Sequence, residues 1–129
     1  MIIRPYAPED EDALFAMMER EGEEWGDYWS GAGRVNFRRA LASSIVYVVC
    51  EGGVLCGFVR CRDDDGFGVY VYDLLVDLKF RGKGYGRQLM ETACGRFPDA
   101  TAYVMSDVDP YYRKLGYEVM GTVFKVRKS

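Results

Sequence analysis

The sequence predicts an α/β (α+β) fold, in which a mixed, mostly antiparallel central sheet carries helices on both faces. Three segments lead to this prediction. The apolar, β-branched runs 45–50 and 54–61 are separated by a turn that contains Gly52 and Gly53, as in a β-hairpin. A third run of strand formers, 69–76, leads through a basic, glycine-rich turn into a segment whose apolar residues recur at helical spacing.

The segment before the hairpin predicts one strand and two helices. Residues 1–6 predict an opening strand, which Pro5 and Pro8 bring to an end. The acidic run 9–12 begins a helix, because negative charge suits the helix dipole there, and Gly22 ends it. A second helix is expected over about residues 35–42, with Phe37 and Leu41 facing inward.

The segment after the hairpin supplies the rest of the sheet. Gly57 marks a possible bulge in the second hairpin strand, and the main amphipathic helix begins near Gly84. Residues 101–105 predict a strand, 109–115 a short helix with Asp109 as its N-cap, and 117–126 one or two closing strands. The predicted order is β-α-α-β-β-β-α-β-α-β, in a single domain that spans residues 1–129.

Composition and charge exclude several function classes. The net charge of −3 over 129 residues offers no general attraction to nucleic acid, and no apolar run approaches the length of a membrane span. No signal peptide is recognisable and the four cysteines form no Cys-x-x-Cys pair, which predicts a cytoplasmic protein with reduced thiols and no metal site. The chain has no histidine, so mechanisms that need an imidazole base are excluded.

The glycine-rich turn between strand and helix predicts a site for an anion, most simply a pyrophosphate. Glycines at 82, 84 and 86 let the backbone approach a ligand, and the free N–H groups of a helix start point toward it. Arg81, Lys83 and Arg87 add positive charge around it. The spacing fits neither a P-loop nor the dinucleotide-binding fingerprint. An ordinary glycine-rich connection with surface charges remains the alternative.

A second informative segment is the run Tyr-Tyr-Arg-Lys-Leu-Gly-Tyr at residues 111–117. Together with Arg-Gly-Lys-Gly-Tyr-Gly at residues 81–86, it makes the chain resemble the GNAT superfamily of N-acetyltransferases over nearly its whole length. That family has an acetyl-CoA loop of the form Arg/Gln-x-x-Gly-x-Gly/Ala and a late helix of the form aromatic-Tyr-x-Lys-Leu-Gly-aromatic.

The resemblance implies transfer of acetyl from acetyl-CoA, the cosubstrate, to a primary amine in a ternary complex. The CoA-binding residues would be Leu74, Leu75 and Val76 on the strand and Arg81, Gly82, Lys83, Gly84, Tyr85, Gly86 and Arg87 in the turn. The Leu75 amide would polarise the thioester carbonyl as an oxyanion-hole donor. Tyr112 would protonate the departing thiolate, whose conjugate acid has a lower pKa than a phenol, or would deliver a hydrogen bond to it.

The sequence departs from the family pattern at the general base. Several relatives carry a glutamate where this chain has Tyr70. Asp73 is the nearest carboxylate, but it projects from the opposite face of the strand unless a bulge reverses the alternation. A structural salt bridge, a water chain and a carboxylate from the 19–27 region remain alternatives. The asparagine of many relatives is missing as well, which leaves Ser106 or Asp107 as possible contacts of the pantetheine arm.

The acceptor and the oligomeric state stay open. Trp25, Tyr28 and Trp29 lie among acidic residues, which favours a cationic small-molecule or peptide amine, although core or dimer-interface packing is an equal alternative. The protein is expected to be a monomer or a homodimer. Two other functions compete: a catalytically silent acyl-CoA-binding module, and an interaction domain that has a phosphate loop but does not bind CoA.

Overall fold

The computed structural model describes residues 1–128, and these residues form five strands and five helices. The strands are β1 (Ile2–Pro5), β2 (Ile45–Glu51), β3 (Val54–Asp63), β4 (Val69–Val76) and β5 (Ala102–Val104). The helices are α1 (Glu11–Glu21), α2 (Gly26–Trp29), α3 (Ala32–Ala42), α4 (Tyr85–Cys94) and α5 (Asp109–Lys114). Short 3-10 turns precede α1, α2 and the glycine-rich turn.

The strands form one mixed sheet in the order β1-β2-β3-β4-β5. Neighbouring strands pair antiparallel, except that β4 and β5 pair in parallel. The parallel pair is required because α4 connects the two strands, and a helical crossover returns the chain in the same direction. The mixed, mostly antiparallel sheet predicted from the sequence is confirmed.

Two apolar clusters hold the helices on opposite faces of the sheet. One packs α1 and α3 against β2 and β3, and its fully buried members include Leu14, Met18 and Phe58. The other packs α4 against β3 and β4 through Leu89, Met90 and Ala93, with Tyr112 of α5 partly buried at its edge. The i, i+3, i+4 spacing of the α4 residues produces this second contact.

Two register shifts interrupt the alternation of the sheet. In β3 the extra residue is Cys56, immediately before Gly57, where the sequence predicts a bulge. In β4, Asp73 pairs with Arg60 and Val71 with Cys61, which leaves Tyr72 without an opposite residue. Val71 therefore faces α4 whereas Asp73 turns to the other face, a reversal that an unbroken strand cannot produce.

The structure corrects two predictions near the C-terminus. Asp109 is the first residue of α5 and not its N-cap; its carboxylate accepts a hydrogen bond from the Ser106 hydroxyl at 2.7 Å. The predicted closing strands over 117–126 do not form: residues 117–128 are exposed and pair with no strand. The neighbouring edge belongs to β5, whose three residues offer few backbone groups to a further strand.

The remaining differences concern the first third of the chain. The helix expected from residue 35 begins three residues earlier, as α3. The aromatic segment before it, for which the sequence gives no clear pattern, contains the single-turn helix α2. Gly22 ends α1 as predicted, with a φ of +110° that favours glycine.

Candidate active site

A gap opens between β4 and β5. The two strands pair only from Val69 to Val71, opposite Ala102 to Val104, and a last bond runs from the Met105 amide to the Val71 carbonyl at 3.2 Å. Residues 72–76 of β4 continue without a β5 partner. The amides on that side are free to bind an extended ligand as an added strand would, whereas the Val76 carbonyl already accepts a hydrogen bond from Arg81.

The antiparallel ladder decides which β4 amides face this gap. The Asp77 amide donates to the Cys56 carbonyl at 2.8 Å, which makes these two residues a hydrogen-bonded pair. Leu75, two residues before Asp77, lies opposite Phe58. Because hydrogen-bonded pairs alternate, the Leu75 amide faces β3, whereas the amides of Leu74 and Val76 face the gap. The Leu75 amide is therefore in the wrong place for the oxyanion contact expected from the sequence.

The start of α4 presents a row of free amides. Among residues 1–128, the amides of residues 82–87 donate to no acceptor of the chain, and the first bond of the helix runs from Gln88 to the Gly84 carbonyl at 3.1 Å. No side chain caps the helix. Gly82 and Gly84 have φ values of +83° and +81°, which turn successive N–H groups toward one concavity. Such a concavity suits an anion.

The cations of the turn are held by acidic residues. The Arg81 guanidinium donates to the Val76 carbonyl at 2.8 Å and pairs with Glu21 of α1 at 2.6 Å. Lys83 contacts both oxygens of Glu51, at 3.0 and 3.1 Å. Arg87 lies 3.6 Å from Glu91, one helical turn away on the exposed surface. The predicted rim of free positive charge is therefore largely neutralised.

Tyr112 lies half-buried at the edge of the α4 cluster. Its ring stacks on Tyr117, with centroids 6.2 Å apart, and meets Tyr111 edge-on at 5.0 Å. Burial is the main reason that the pKa of its phenol is raised to about 12, with smaller contributions from Tyr111 and Asp107. The phenol therefore keeps its proton throughout the physiological range.

An open cavity of about 1140 Å³ adjoins Tyr112 and runs along β5, α5 and the 117–123 segment. It lies beside the glycine-rich turn and does not include it. Tyr111, on which sequence reasoning places no role, contacts the turn instead: a Cβ on Gly86 would collide with its hydroxyl. Gly86 thus allows Tyr111 of α5 to pack directly against α4, and the adjacent pair of tyrosines is the sequence signal for this contact.

Asp73 is buried in an ion pair rather than open to the gap. Its side chain is 4% exposed and lies 2.5 Å from the Arg60 guanidinium. Arg60 also donates to the Ser44 hydroxyl at 3.1 Å and lies over the Phe37 ring. The Tyr28 phenol faces the same carboxylate, and burial followed by the charge of Asp73 raises the pKa of Tyr28.

Tyr70, at the position of the relatives' glutamate, packs in the sheet. Its ring stacks on Tyr103 of β5, with centroids 5.3 Å apart and 20° between the ring planes. The stack closes the end of the gap where the two strands pair. Tyr70 therefore contributes to holding β5 against β4.

The three aromatic residues of the expected acceptor site pack mainly into the core. Trp25 contacts Phe58 at 6.0 Å between centroids, and Tyr28 contacts Phe37 at 4.8 Å. The Trp29 indole donates to the Gly22 carbonyl at 3.3 Å. All three side chains are half-buried, whereas Glu23, Glu24 and Asp27 beside them are exposed. The exposed part of this surface is consequently acidic more than aromatic.

Within residues 1–128, no group of three or more cysteine or carboxylate residues is placed to hold a metal ion. No helix in the same range is long and apolar enough to cross a membrane.

Sequence comparison points to one family. The profile of the acetyltransferase (GNAT) domain matches residues 42–119, more than half of the chain. The uncharacterized N-acetyltransferase ycf52 of Porphyra purpurea is 32% identical over 68 residues, which cover 49% of this chain and 39% of that protein. The histone acetyltransferase TAP1 of Glycine max is 35% identical over 69 residues, which cover 50% of this chain and 30% of that protein. The chain thus matches less than half the length of these relatives.

Comparison with solved structures agrees on the fold. A GNAT-family acetyltransferase from Streptococcus pneumoniae TIGR4 superposes with a TM-score of 0.74 at 23% identity, covering 98% of both chains. The aminoglycoside N-acetyltransferase AAC(6')-Iy, solved in complex with a CoA bisubstrate analog, gives a TM-score of 0.73 at 17% identity, over 99% of this chain and 97% of that one. Because the GNAT profile matches more than half of its length, the chain belongs to the GNAT acetyltransferase domain family.

Proposed function

We propose that residues 1–129 act as one N-acetyltransferase domain, which transfers acetyl from acetyl-CoA to a primary amine by direct attack in a ternary complex. The observation that carries this proposal is the row of six unsatisfied amides at 82–87, next to the open edge of β4. A strand edge and an amide concavity side by side fit an extended arm that ends in a diphosphate. The chain's family membership supports the same assignment.

In this proposal the amides of residues 82–87 bind the CoA diphosphate, and Gly86 allows Tyr111 of α5 to pack against the start of α4 beside them. The gap-facing amides of Leu74 and Val76 bind the pantetheine arm and the thioester. Of these two residues, Leu74 lies nearer to the segment Val69–Val71, where β4 pairs with β5. We therefore assign the oxyanion contact to the Leu74 amide in place of the Leu75 amide. A backbone donor fixed in a sheet stabilises developing negative charge without reorganisation.

Tyr112 serves as the acid that stabilises the leaving group. The amine nitrogen attacks the acetyl carbonyl, the carbon–sulfur bond breaks, and the phenol donates its O–H hydrogen bond to the leaving thiolate, which takes up a proton from solvent. Because burial raises the pKa of the phenol to about 12, above that of a thiol, the phenol keeps its proton and remains a hydrogen-bond donor throughout the step. Its position at the edge of the α4 cluster, beside an open cavity, gives access from the surface.

The acceptor amine must lose a proton before it attacks. The buried pair with Arg60 favours a structural role for Asp73, so we propose that this proton leaves to water or to the exposed carboxylates beside α2. The soybean relative is named a histone acetyltransferase and the structural neighbour an aminoglycoside acetyltransferase. We propose a cationic acceptor here on the charge of Glu23, Glu24 and Asp27.

A cationic acceptor predicts a salt-dependent KM. Across a panel of amines of similar size, polycationic acceptors should have the lowest KM, and that KM should rise with ionic strength because exposed charges are screened. Changing Glu23, Glu24 and Asp27 together to their amides should raise the KM for these acceptors with little effect on neutral amines. Equal KM changes for charged and neutral amines would contradict the assignment.

Binding of acetyl-CoA is the first test of the function. At a concentration about 100-fold above Kd, the ligand should stabilise the protein by about 2.7 kcal/mol, a Tm increase on the order of 10 °C. Adenosine, which lacks the diphosphate and the pantetheine arm, is the control and should give little shift. An interaction domain without CoA affinity would show no shift with either compound.

Turnover distinguishes an N-acetyltransferase from a catalytically silent acyl-CoA-binding module. A transferase releases free CoA thiol in proportion to the acetylated amine, whereas a silent acyl-CoA-binding module gives the thermal shift without thiol release. Tyr70 at the position of the relatives' glutamate favours the silent module, whereas its stack on Tyr103 supports a packing role for the side chain. An amine panel with thiol detection decides between the two.

A further inference from the structure

Glu51, the last residue of β2, connects that strand to the anion site. Its carboxylate accepts hydrogen bonds from the Lys83 ammonium at 3.0 and 3.1 Å and from the Tyr85 hydroxyl at 2.6 Å. These two partners flank Gly84, which is the N-cap of α4. One carboxylate therefore holds the residues on both sides of the position where the free amides begin.

The charge of Glu51 persists at neutral pH. The hydrogen bond from Tyr85 and the contacts with Lys83 lower the pKa of its carboxyl group, while the same hydrogen bond and charge raise the pKa of Tyr85 to about 12. Two positive charges face the Glu51 carboxylate: the Lys83 ammonium and, more weakly, the N-terminus of the chain. A fixed negative charge thus lies beside a row of amides suited to an anion.

We propose that Glu51 lowers the affinity of the turn for the CoA diphosphate by holding the Lys83 ammonium away from it. The inference rests on the proposed function, because it concerns the ligand of the same amide row. Glu51 acts through Lys83 and is a positioning residue. Its side chain is 33% exposed, so the effect must depend on salt.

The geometry separates two actions of Glu51. As a hydrogen-bond acceptor it fixes Tyr85 at the first position of α4, which keeps the amides aligned. As a charge it competes with the ligand for Lys83. Glu51→Gln keeps an acceptor oxygen within reach of Tyr85 and removes the charge, whereas Glu51→Ala removes both.

The test is the Kd for CoA, measured by titration calorimetry. Glu51→Gln should bind CoA about three- to ten-fold more tightly than the wild type at low salt, the size expected for one partly screened charge. The gain should disappear in about 1 M salt, where the Debye length is about 3 Å. Glu51→Ala should gain less than Glu51→Gln, because its helix start is no longer held.

Two further variants test whether the released Lys83 ammonium causes the gain in CoA affinity. Adding Lys83→Gln to Glu51→Gln should cancel the gain if the released ammonium binds the ligand. Asp64→Asn removes the same charge from an exposed turn at the other end of β4 and should leave the Kd within about two-fold. Dephospho-CoA, which keeps the diphosphate but lacks the 3′-phosphate, should show the same gain as CoA.

The outcomes separate this inference from the function itself. A wild type that fails to bind CoA contradicts the proposed function. A wild type that binds, with Glu51→Gln unchanged or weaker, overturns the role of Glu51 and leaves the function intact. A gain that survives at about 1 M salt, persists without Lys83 or vanishes with dephospho-CoA also overturns it. Urea unfolding of each variant confirms that the changes are compared in folded proteins.

Discussion

Tyr112→Phe should reduce kcat by about 10²-fold or more, while the Kd for acetyl-CoA stays within about two-fold. The substitution removes the hydrogen-bond donor and leaves the ring, whose contacts with Tyr111 and Tyr117 hold it against α4. Stopped-flow detection of thiol release gives kcat, and calorimetry gives the Kd. A loss of affinity with normal turnover would falsify the assignment of Tyr112 as the acid.

The matched control for this variant is Tyr117→Phe. Tyr117 stacks on Tyr112 and is more exposed, so removal of its hydroxyl perturbs the same aromatic group without removing the proposed acid. Its kcat should stay within about three-fold of the wild type, well below the contribution expected of a general acid. With a pKa of about 12 for Tyr112, kcat of the wild type should also show no loss from phenol ionisation up to about pH 10.

Arg60→Leu should destabilise the protein by about 3–5 kcal/mol, because it leaves the Asp73 carboxylate buried without its partner. The Arg60 side chain is 13% exposed, so water cannot fully replace its guanidinium as the partner of the Asp73 carboxylate. The double variant Arg60→Leu, Asp73→Leu should recover most of that loss, since an apolar pair of similar volume avoids the unpaired charge. Urea unfolding of the three proteins measures the differences.

The same double variant tests the role of Asp73 in catalysis. If the ion pair with Arg60 is structural, the folded double variant keeps kcat within about ten-fold of the wild type. If Asp73 is the general base, kcat falls by about 10²-fold or more at neutral pH and recovers at high pH, where the free amine needs no base. Asp64→Asn again supplies a control for a carboxylate lost elsewhere on the surface.

The sequence predicts β4, the glycine-rich turn and α4 correctly, because the pattern for each lies within the element itself. The run 69–76, the glycines at 82 and 84 and the spacing of Leu89, Met90 and Ala93 place β4, the turn and α4 correctly. Each of these features depends on neighbours within a few residues. The predictions for Asp109 and for residues 117–126 fail, because a cap and an edge strand also need partners that the local pattern does not specify.

Packing decides the role of the acidic and aromatic residues around the site. For Trp25 and Tyr28 the sequence leaves two interpretations open, a surface for a cationic ligand and core packing, and in the structure they contact Phe58 and Phe37 in the core. The basic residues of the turn pair with carboxylates that are distant in sequence, Arg81 with Glu21 and Lys83 with Glu51. Sequence spacing carries no information about such partners, because they meet only after the sheet has formed.

The sequence by itself determined the family and the order of strand, anion-binding turn and helix, because these follow from short-range spacing and from glycine's access to positive φ. Only the tertiary structure decided the direction of the backbone groups and the pairing of the charges. The phase of the β3–β4 ladder turns Leu74, and not Leu75, toward the gap. One extra residue at Tyr72 places Asp73 on the face opposite Val71, which is the face of Tyr70. Both depend on register, which is a relation between two strands and not a property of either one.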